Sequence, residues 1–335
     1  MKLLLSALFF TASLSAEDGK PESPEEGLRV QIFLDQKLFG PGFLDGNPGN
    51  FTERAVYAYN RSQGRSPGDW AAILEDALKE VPNLYAVASA PGFAGKYVNP
   101  KLSPKREKQA KEKMMSYRSY LEFMAERYHT SGTFLIQLNG TQKAHNLGPR
   151  STLKVPNIEP FRIEELAAGR SHKADEKLSL RTVIIDTGMK QLFIYDPAAP
   201  VKVAPGVAVA VADDEEEEPV GQLIAMFPTT PGQEKFIHRG HWKIRNCVEL
   251  PEWRYDKSFL EKGKRSNEYL QIPPGPNNPV RVLWSGLTKA GIGIHGTSSP
   301  RTIGRARSAG CYRLANWDAA RFSSLTRPGT KVIVR

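Results

Sequence analysis

The stretch IGIHGTSSPRTIGRARSAGCYRL, residues 292–314, decides the fold and the chemistry expected of this chain. An apolar run ends at His295, and a loop containing glycine and serine then leads to Cys311. A thiol attacks only as a thiolate, and a free cysteine has a pKa of about 8.5. A nearby histidine can take the thiol proton. His295 and Cys311 are therefore the candidate base and nucleophile.

The neighbours of this pair indicate acyl transfer. Gly296 and Gly310 allow the backbone to approach closely or to adopt positive φ. Backbone N–H groups near Gly310 and Cys311 can then face a carbonyl oxygen as an oxyanion hole. Arg313 lies two residues further on, and on a strand it shares a face with Cys311. Its guanidinium could bind a substrate carboxylate at two points.

The region from residue 181 to the C-terminus shows short apolar runs with a period of two, separated by turn residues. The strands predicted are Arg181–Thr187, Gln191–Tyr195, Val207–Val211, Gln222–Phe227, His241–Arg245, Val280–Trp284, Gly291–His295 and Lys331–Val334. One helix is predicted from Trp317 to about Leu325, capped by Asn316. The pattern predicts a mainly β domain over residues 181–335, arranged as a β-sandwich.

Residues 292–314 resemble the catalytic signature of the YkuD-type L,D-transpeptidase domain, which reads His-Gly-Thr, a loop, then Ser-His-Gly-Cys-x-Arg. IPPGPNNPVRVLW (272–284) and GHWKIRN (240–246) resemble two earlier segments of that domain. Ala309 stands where the family usually has histidine. The family base is the histidine of His-Gly-Thr, so we expect activity to survive.

The resemblance implies a two-step reaction on peptidoglycan stem peptides. Cys311 attacks the carbonyl of a tetrapeptide stem, D-alanine leaves, and an amine of a second stem resolves the thioester to a 3→3 cross-link. Arg313, Ser308 and Thr297 are the predicted substrate-binding residues, although Ser308 could instead orient the loop. No cofactor is implied, carbapenem inhibitors are expected, and a bridge between Cys311 and Cys247 is not expected.

Several alternatives are consistent with the same residues. Water as the acceptor gives an L,D-carboxypeptidase, and a side-chain amine gives an enzyme that anchors proteins to the wall. A non-catalytic wall-binding protein is the alternative from another class. No metal site is predicted, because His238 and His241 lie three apart without a third ligand.

The N-terminus predicts export. Lys2 precedes an uncharged apolar stretch and the small residues Ser13-Leu14-Ser15-Ala16, the layout of a signal peptide over residues 1–16. The mature protein is then expected in the periplasm or cell wall, without a membrane anchor. The net charge of +10 favours polyanions. No nucleic-acid-binding motif is found, so wall polymer is the expected partner.

Residues 17–180 are predicted to form small modules. A disordered leader (17–27) precedes a helical module (28–80) whose Gly42–Gly46 turn resembles that of the peptidoglycan-binding domain. A second helix is predicted with Asn50 or Thr52 as its cap, and a third from about Asp69 to Lys79. A charged connector (81–119) leads to residues 120–157, which resemble a βααβ LysM module that binds glycan strands. In it, Tyr120 is placed in the opening strand. A linker (158–180) follows.

Overall fold

The computed structural model describes residues 19–197, 221–262, 264–305 and 310–335. The helices are α1 Pro24–Gln36, α2 Asn50–Ser62, α3 Trp70–Glu80, α4 Arg106–Gln109, α5 Tyr120–Arg127, α6 Gly132–Asn139, α7 Thr141–His145, α8 Lys257–Lys262 and α9 Asn316–Leu325. The strands are β1 Tyr85–Ser89, β2 Thr152–Pro156, β3 Ser171–His172, β4 Thr182–Asp186, β5 Gln191–Pro197, β6 Gly221–Pro228, β7 Gly240–Glu249, β8 Trp253–Tyr255, β9 Leu270–Ile272, β10 Leu283–Leu287, β11 Gly293–Thr297, β12 Tyr312–Ala315 and β13 Lys331–Val334.

One large mixed sheet forms the C-terminal half, in the order β12-β11-β10-β7-β13-β4-β5-β6, with β3 beside β7. The pairs β11–β12 and β13–β4 are parallel. Just beyond β6, Thr230 exchanges two backbone hydrogen bonds with Arg313 of β12, at 3.0 and 3.1 Å. The expected mainly β domain is confirmed. Because Thr230 joins the outer strands, they form one curved, nearly closed sheet rather than two separate layers.

Strands β4 and β5 are buried on both faces. Val183 and Leu192 face the interior of the curved sheet. Ile184 and Phe193 face the opposite way and pack against the core of the N-terminal helices. Strands that are covered on both faces have continuous apolar sequences, and β4 and β5 have such sequences. The N-terminal helices are therefore packed onto the sheet.

Most of the predicted strands lie close to their expected positions. Two begin later than expected: β10 starts at Leu283 and β11 at Gly293. The residues before them turn the chain, with φ of +62° at Arg281 and +78° at Gly291. The predicted strand Val207–Val211 lies outside the described residues.

The first helix begins inside the predicted leader, which is therefore partly wrong. Ser23 accepts a hydrogen bond from the Glu26 N–H at 3.2 Å, and Pro24 opens the helix. A serine cap followed by proline is a strong helix start. The expected start of α3 is confirmed, since the Asp69 carboxylate accepts from the Ala72 N–H.

Three residues expected to cap helices do not. Gly49 and Ala315 hold the N-cap positions of α2 and α9, so Asn50 and Asn316 are the first helical residues. Thr52 donates its hydroxyl to Pro41 O instead. Tertiary hydrogen bonds occupy both Thr52 and Asn316, whose amide donates to Glu126.

The expected opening strand at Tyr120 is wrong, because Tyr120 begins α5. Ser119 accepts a hydrogen bond from the Glu122 N–H and caps that helix. The strand that pairs with β2 is β1, which lies in the predicted connector. Between β1 and β2 the chain forms α4, α5, α6 and α7 rather than two helices, and residues 90–119 lie between β1 and α5. Within the predicted linker, β3 pairs with β7.

A buried ionic cluster joins the helical module to the catalytic sheet. Asp35 of α1 is fully buried and receives two hydrogen bonds of 2.8 Å from Arg321 of α9. His129 Nδ1 lies 3.0 Å from the same carboxylate, and its ring stacks on Trp317 at 5.2 Å. Among the described residues, no helix has the length and apolarity needed to cross a bilayer. The predicted signal peptide lies outside them.

Candidate active site

The sheet brings the predicted base and nucleophile to one face. In the parallel pair β11–β12, His295 lies opposite Arg313 and Ile294 opposite Tyr312. Cys311 directly precedes β12, two residues from Arg313. Because side chains alternate along a strand, Cys311, Arg313 and His295 share a face. The pairing of β11 with β12 thus brings near each other His295 and Cys311, which are sixteen residues apart in the sequence.

Cys311 is half-buried, and its Sγ lies 3.7 Å from Gly291 O. Burial raises the pKa of the Cys311 thiol, while a hydrogen bond with the Gly293 backbone and the charge of Arg313 act in the opposite direction. The neutral thiol is therefore the resting form. Cys311 and Cys247 are not joined by a disulfide in the structure.

His295 is 5% exposed, and its Nδ1 lies 2.8 Å from Gly296 O. A carbonyl oxygen only accepts, so Nδ1 carries the proton and Nε2 of the neutral ring is open to take one. Burial lowers the pKa of His295 to about 4, and the charges of Arg313 and Arg281 act in the same direction. The indole of Trp284 on β10 stacks against the imidazole, with centroids 6.0 Å apart.

Gly310 is needed for its backbone conformation. Its φ is +110°, and a Cβ there would lie 2.7 Å from Ile292 Cδ1. The Gly232 backbone also passes so close that a Cβ on Gly232 would lie 2.7 Å from Gly310 Cα. This turn permits the predicted oxyanion hole, which stays a prediction.

Gly296 allows the close approach of neighbouring groups that was expected of it. A Cβ at this position would collide with Asn316 Oδ1 and would lie 2.9 Å from Arg281 Cβ. Its carbonyl orients His295. The small residue is required by tight packing behind β11.

The predicted substrate-binding residues differ in their surroundings. Arg313 is half-buried, and no carboxylate among the described residues pairs with its guanidinium. Thr297 is buried, and its hydroxyl accepts from the Ser299 N–H at 3.3 Å. Ser308 lies outside the described residues. Cys247 is buried on β7, away from the pair.

A buried polar layer behind β11 was missed by sequence reasoning. The Glu126 carboxylate of α5 accepts hydrogen bonds from Tyr117 Oη at 2.5 Å and from Asn316 Nδ2 at 2.8 Å. Asn316 in turn contacts Gly296, beside Arg281. Burial raises the pKa of Glu126 to about 7 and lowers that of Arg281 to about 9. These residues are distant in sequence, so no local pattern links them.

No three His, Cys, Asp or Glu side chains in the described ranges are grouped so as to hold a metal ion. The chemistry available from the face of β11 and β12 is that of a thiol, an imidazole and a guanidinium.

Known proteins match the same part of the chain. Residues 180–334 match the family model of the L,D-transpeptidase catalytic domain, YkuD. A curated YkuD protein of Bacillus licheniformis, named as an L,D-transpeptidase, is 41% identical over 61 residues, which cover 18% of this chain and 37% of that protein. A protein of Fuscovulum blasticum with a similar name is 34% identical over 110 residues, covering 32% of this chain and 57% of its own length. The chain thus spans little more than a third of the first relative and about half of the second.

The similarity of this chain to solved structures is weak. An L,D-transpeptidase from Mycobacterium smegmatis has 13% identity and a TM-score of 0.30, covering 57% of this chain and 76% of that one. An L,D-transpeptidase solved with imipenem has 11% identity and a TM-score of 0.32, covering 56% and 75%. The family match itself includes β11, β12 and the residues between them in the sequence. Residues 180–334 of this chain are therefore an L,D-transpeptidase catalytic domain of the YkuD family.

Proposed function

We propose that this protein is a peptidoglycan L,D-transpeptidase with Cys311 as nucleophile and His295 as base. One arrangement carries the proposal: in the matched domain the parallel strands β11 and β12 pair His295 with Arg313, and Cys311 directly precedes β12. A thiol beside a base, with a third group that orients the base, is the arrangement of an activated nucleophile. Here Gly296 O is that third group.

In the first half-reaction, Cys311 Sγ attacks the carbonyl carbon between an L-centre and a D-centre of a tetrapeptide stem. The thiol proton passes to His295 Nε2. The carbon–nitrogen bond then breaks, and His295 gives the proton to the departing D-alanine amine. A thioester on Cys311 and a neutral imidazole remain.

In the second half-reaction, a neutral amine of another stem, typically that of meso-diaminopimelate, attacks the thioester carbonyl. The new carbon–nitrogen bond forms and the carbon–sulfur bond breaks. The proton leaving the amine passes through His295 to Sγ. The product is a 3→3 cross-link, and the enzyme returns to its starting state.

We further propose that Arg313 binds a substrate carboxylate and that the protein acts in the periplasm at the cell wall. The unpaired, half-buried guanidinium and the net charge of +10 support contact with anionic wall peptide. The N-terminal modules would hold the enzyme on peptidoglycan. Carbapenems are proposed inhibitors, because a thiolate attacks a strained lactam as it attacks the stem.

Mass spectrometry of products from tetrapeptide-rich peptidoglycan tests the proposal. The wild type should give 3→3 dimers with release of D-alanine, and Cys311→Ala should give none. Tripeptide without dimers would indicate an L,D-carboxypeptidase. Stems joined only to protein amines would indicate an anchoring enzyme. Dimers formed by Cys311→Ala would rule out the proposed nucleophile.

A further inference from the structure

The helical module and the catalytic sheet enclose two adjoining cavities of about 270 and 420 Å³. Both are lined by Phe43 and Phe51 from the helical module and by Ile303 and Arg305 from the catalytic domain. The shared lining makes them one groove, called here the junction groove. Neither part of the molecule forms it alone.

The junction groove lies next to the strand that follows the nucleophile. Gly304 lines the groove, and its N–H donates to Thr230 Oγ1 at 2.9 Å. The Thr230 backbone pairs in turn with Arg313, two residues after Cys311. Lys190 Nζ donates to Gly304 O at 2.7 Å and fixes the same wall. A ligand in the groove would thus lie beside the donor substrate and not in its place.

The groove is basic. Its basic lining residues are Arg54, Lys190, Arg301 and Arg305, which outnumber its two acidic ones, Asp45 and Asp318. Arg301 and Arg305 are exposed, and no carboxylate of the described residues forms an ion pair with either. Two exposed guanidinium groups that form no ion pair with a described carboxylate favour a ligand with carboxylates, which arginine binds in a bidentate manner.

Asp318 adds a buried polar group to the wall. It is 2% exposed, its Oδ1 accepts no hydrogen bond within the described part of the chain, and the nearest cation, Arg321 Nη1, is 3.8 Å away. Burial raises the pKa of Asp318 to about 8, so the acid is protonated at neutral pH and can donate to a ligand oxygen. The aromatic rings of Phe43 and Trp317 cover apolar parts of a ligand.

We propose that the junction groove binds the stem peptide that serves as acyl acceptor, with Arg301 and Arg305 holding its carboxylates. This inference rests on the proposed transpeptidase function. Stem peptides carry free carboxylates next to the reacting amine, whereas the uncharged N-acetyl sugars of the glycan would not need two unpaired guanidinium groups. The helical module then forms part of the substrate site, because the groove does not exist without it.

The test separates acylation from transfer in the full mature protein. A synthetic stem tetrapeptide serves as donor and acceptor, and a carbapenem measures acylation alone. In the Arg301→Ala/Arg305→Ala double variant, the carbapenem acylation rate should stay within about twofold. The ratio of transfer to hydrolysis should fall by about tenfold or more, as expected for loss of charge-assisted hydrogen bonds. The double Arg→Lys variant should retain part of the transfer.

The matched control is Arg162→Ala, which removes an exposed arginine that pairs with Glu159 and Glu165, away from the groove. Its ratio of transfer to hydrolysis should equal that of the wild type. An unchanged transfer ratio in the double alanine variant, or an equal loss in Arg162→Ala, would overturn the inference. So would loss of N-acetylglucosamine oligomer binding with peptide transfer intact, since the groove would then be a glycan site. A wild type that transfers, together with a double alanine variant that transfers equally well, overturns this inference alone, whereas a wild type that only hydrolyses or never acylates at Cys311 removes the proposed function with it.

Discussion

Burial moves the proton affinities of the two reacting side chains apart. It raises the pKa of the Cys311 thiol and lowers that of His295 to about 4. At neutral pH the resting pair is then a thiol beside a neutral imidazole, and the ion pair is a minor form. Proton transfer to Nε2 should accompany attack on the substrate. The apparent pKa values belong to the pair, since each proton affects the other group.

This state predicts the pH dependence of acylation. In the wild type, the rate with a carbapenem should be nearly constant through neutral pH and should fall only as His295 becomes protonated, near pH 4. In His295→Ala, the rate should follow the thiolate fraction and rise tenfold per pH unit up to the raised pKa of the thiol. General-base help is typically worth about a hundredfold to ten-thousandfold at neutral pH. The gap should narrow as pH rises. Superimposable profiles would mean that His295 is only structural.

The two cysteines should differ completely in reactivity. Intact-mass measurements should find a carbapenem adduct on the wild type and on Cys247→Ala, and none on Cys311→Ala. Cys247 is buried on β7, where burial raises its pKa, so its thiol is inert. Circular dichroism should show that both variants are folded. An adduct on Cys311→Ala would place the nucleophile elsewhere.

At the scale of elements, a helix of the N-terminal half supports the strand that carries the base. Glu126 of α5 holds Asn316, and Asn316 packs against Gly296, whose carbonyl sets the tautomer of His295. A displaced Gly296 would weaken this hydrogen bond. The segment between β1 and β2 therefore does more than connect modules.

Glu126→Ala should slow acylation of Cys311 while leaving the thiol in place. It removes the acceptor of two buried donors, Tyr117 and Asn316, which should destabilise the protein by about 1–3 kcal/mol. Misplacement near the base can reduce the rate by up to about a hundredfold. Glu126→Gln keeps one acceptor oxygen and should be intermediate in both urea unfolding and acylation rate.

The control for this change is Glu164→Gln. Glu164 pairs with Arg127, which lies on α5 next to Glu126. Glu164 itself does not belong to the polar layer behind β11. Its variant should acylate at the wild-type rate. Equal slowing in both variants would mean that α5 affects the site only through general stability.

At the scale of the whole molecule, the helical module and the sheet form one cooperative structure. Helices α1–α3 cover the outer face of β4 and β5, and Asp35 bonds to Arg321 across the junction. Burial alone would raise the pKa of Asp35, but Arg321 and His129 hold it well below its usual range. The carboxylate thus stabilises the fold at neutral pH. That contribution is lost as pH falls below about 3.9, the pKa of an unfolded aspartate.

Asp35→Ala should destabilise the protein by about 3 kcal/mol, because the half-buried Arg321 and the buried His129 lose their shared partner. Urea unfolding at pH 7 measures this, and the difference from the wild type should shrink at pH 3. The exposed pair Lys79–Glu75 offers a control, since Lys79→Ala should not change stability measurably. A difference of equal size at both pH values would contradict the ionic account.

Local patterns in the sequence sufficed to locate the candidate site and most strands. His295, Cys311 and Arg313 lie in one short stretch, and the two-residue period of the flanking segments reports strands directly. A two-residue period cannot say which strands join at their edges. The closing contact between Thr230 and Arg313 therefore appeared only in the folded sheet.

Tertiary structure decided which distant residues support the site. Tyr120 begins a helix because Ser119 caps it, and its expected strand lies 31 residues before it, at β1. The Asn316 amide donates a hydrogen bond to Glu126 instead of capping its own helix. Buried polar groups must find partners, and those partners come from whichever segments meet in space. Periodicity records which face of an element is buried but not what covers it, so the layer behind Gly296 and the junction groove follow from packing alone.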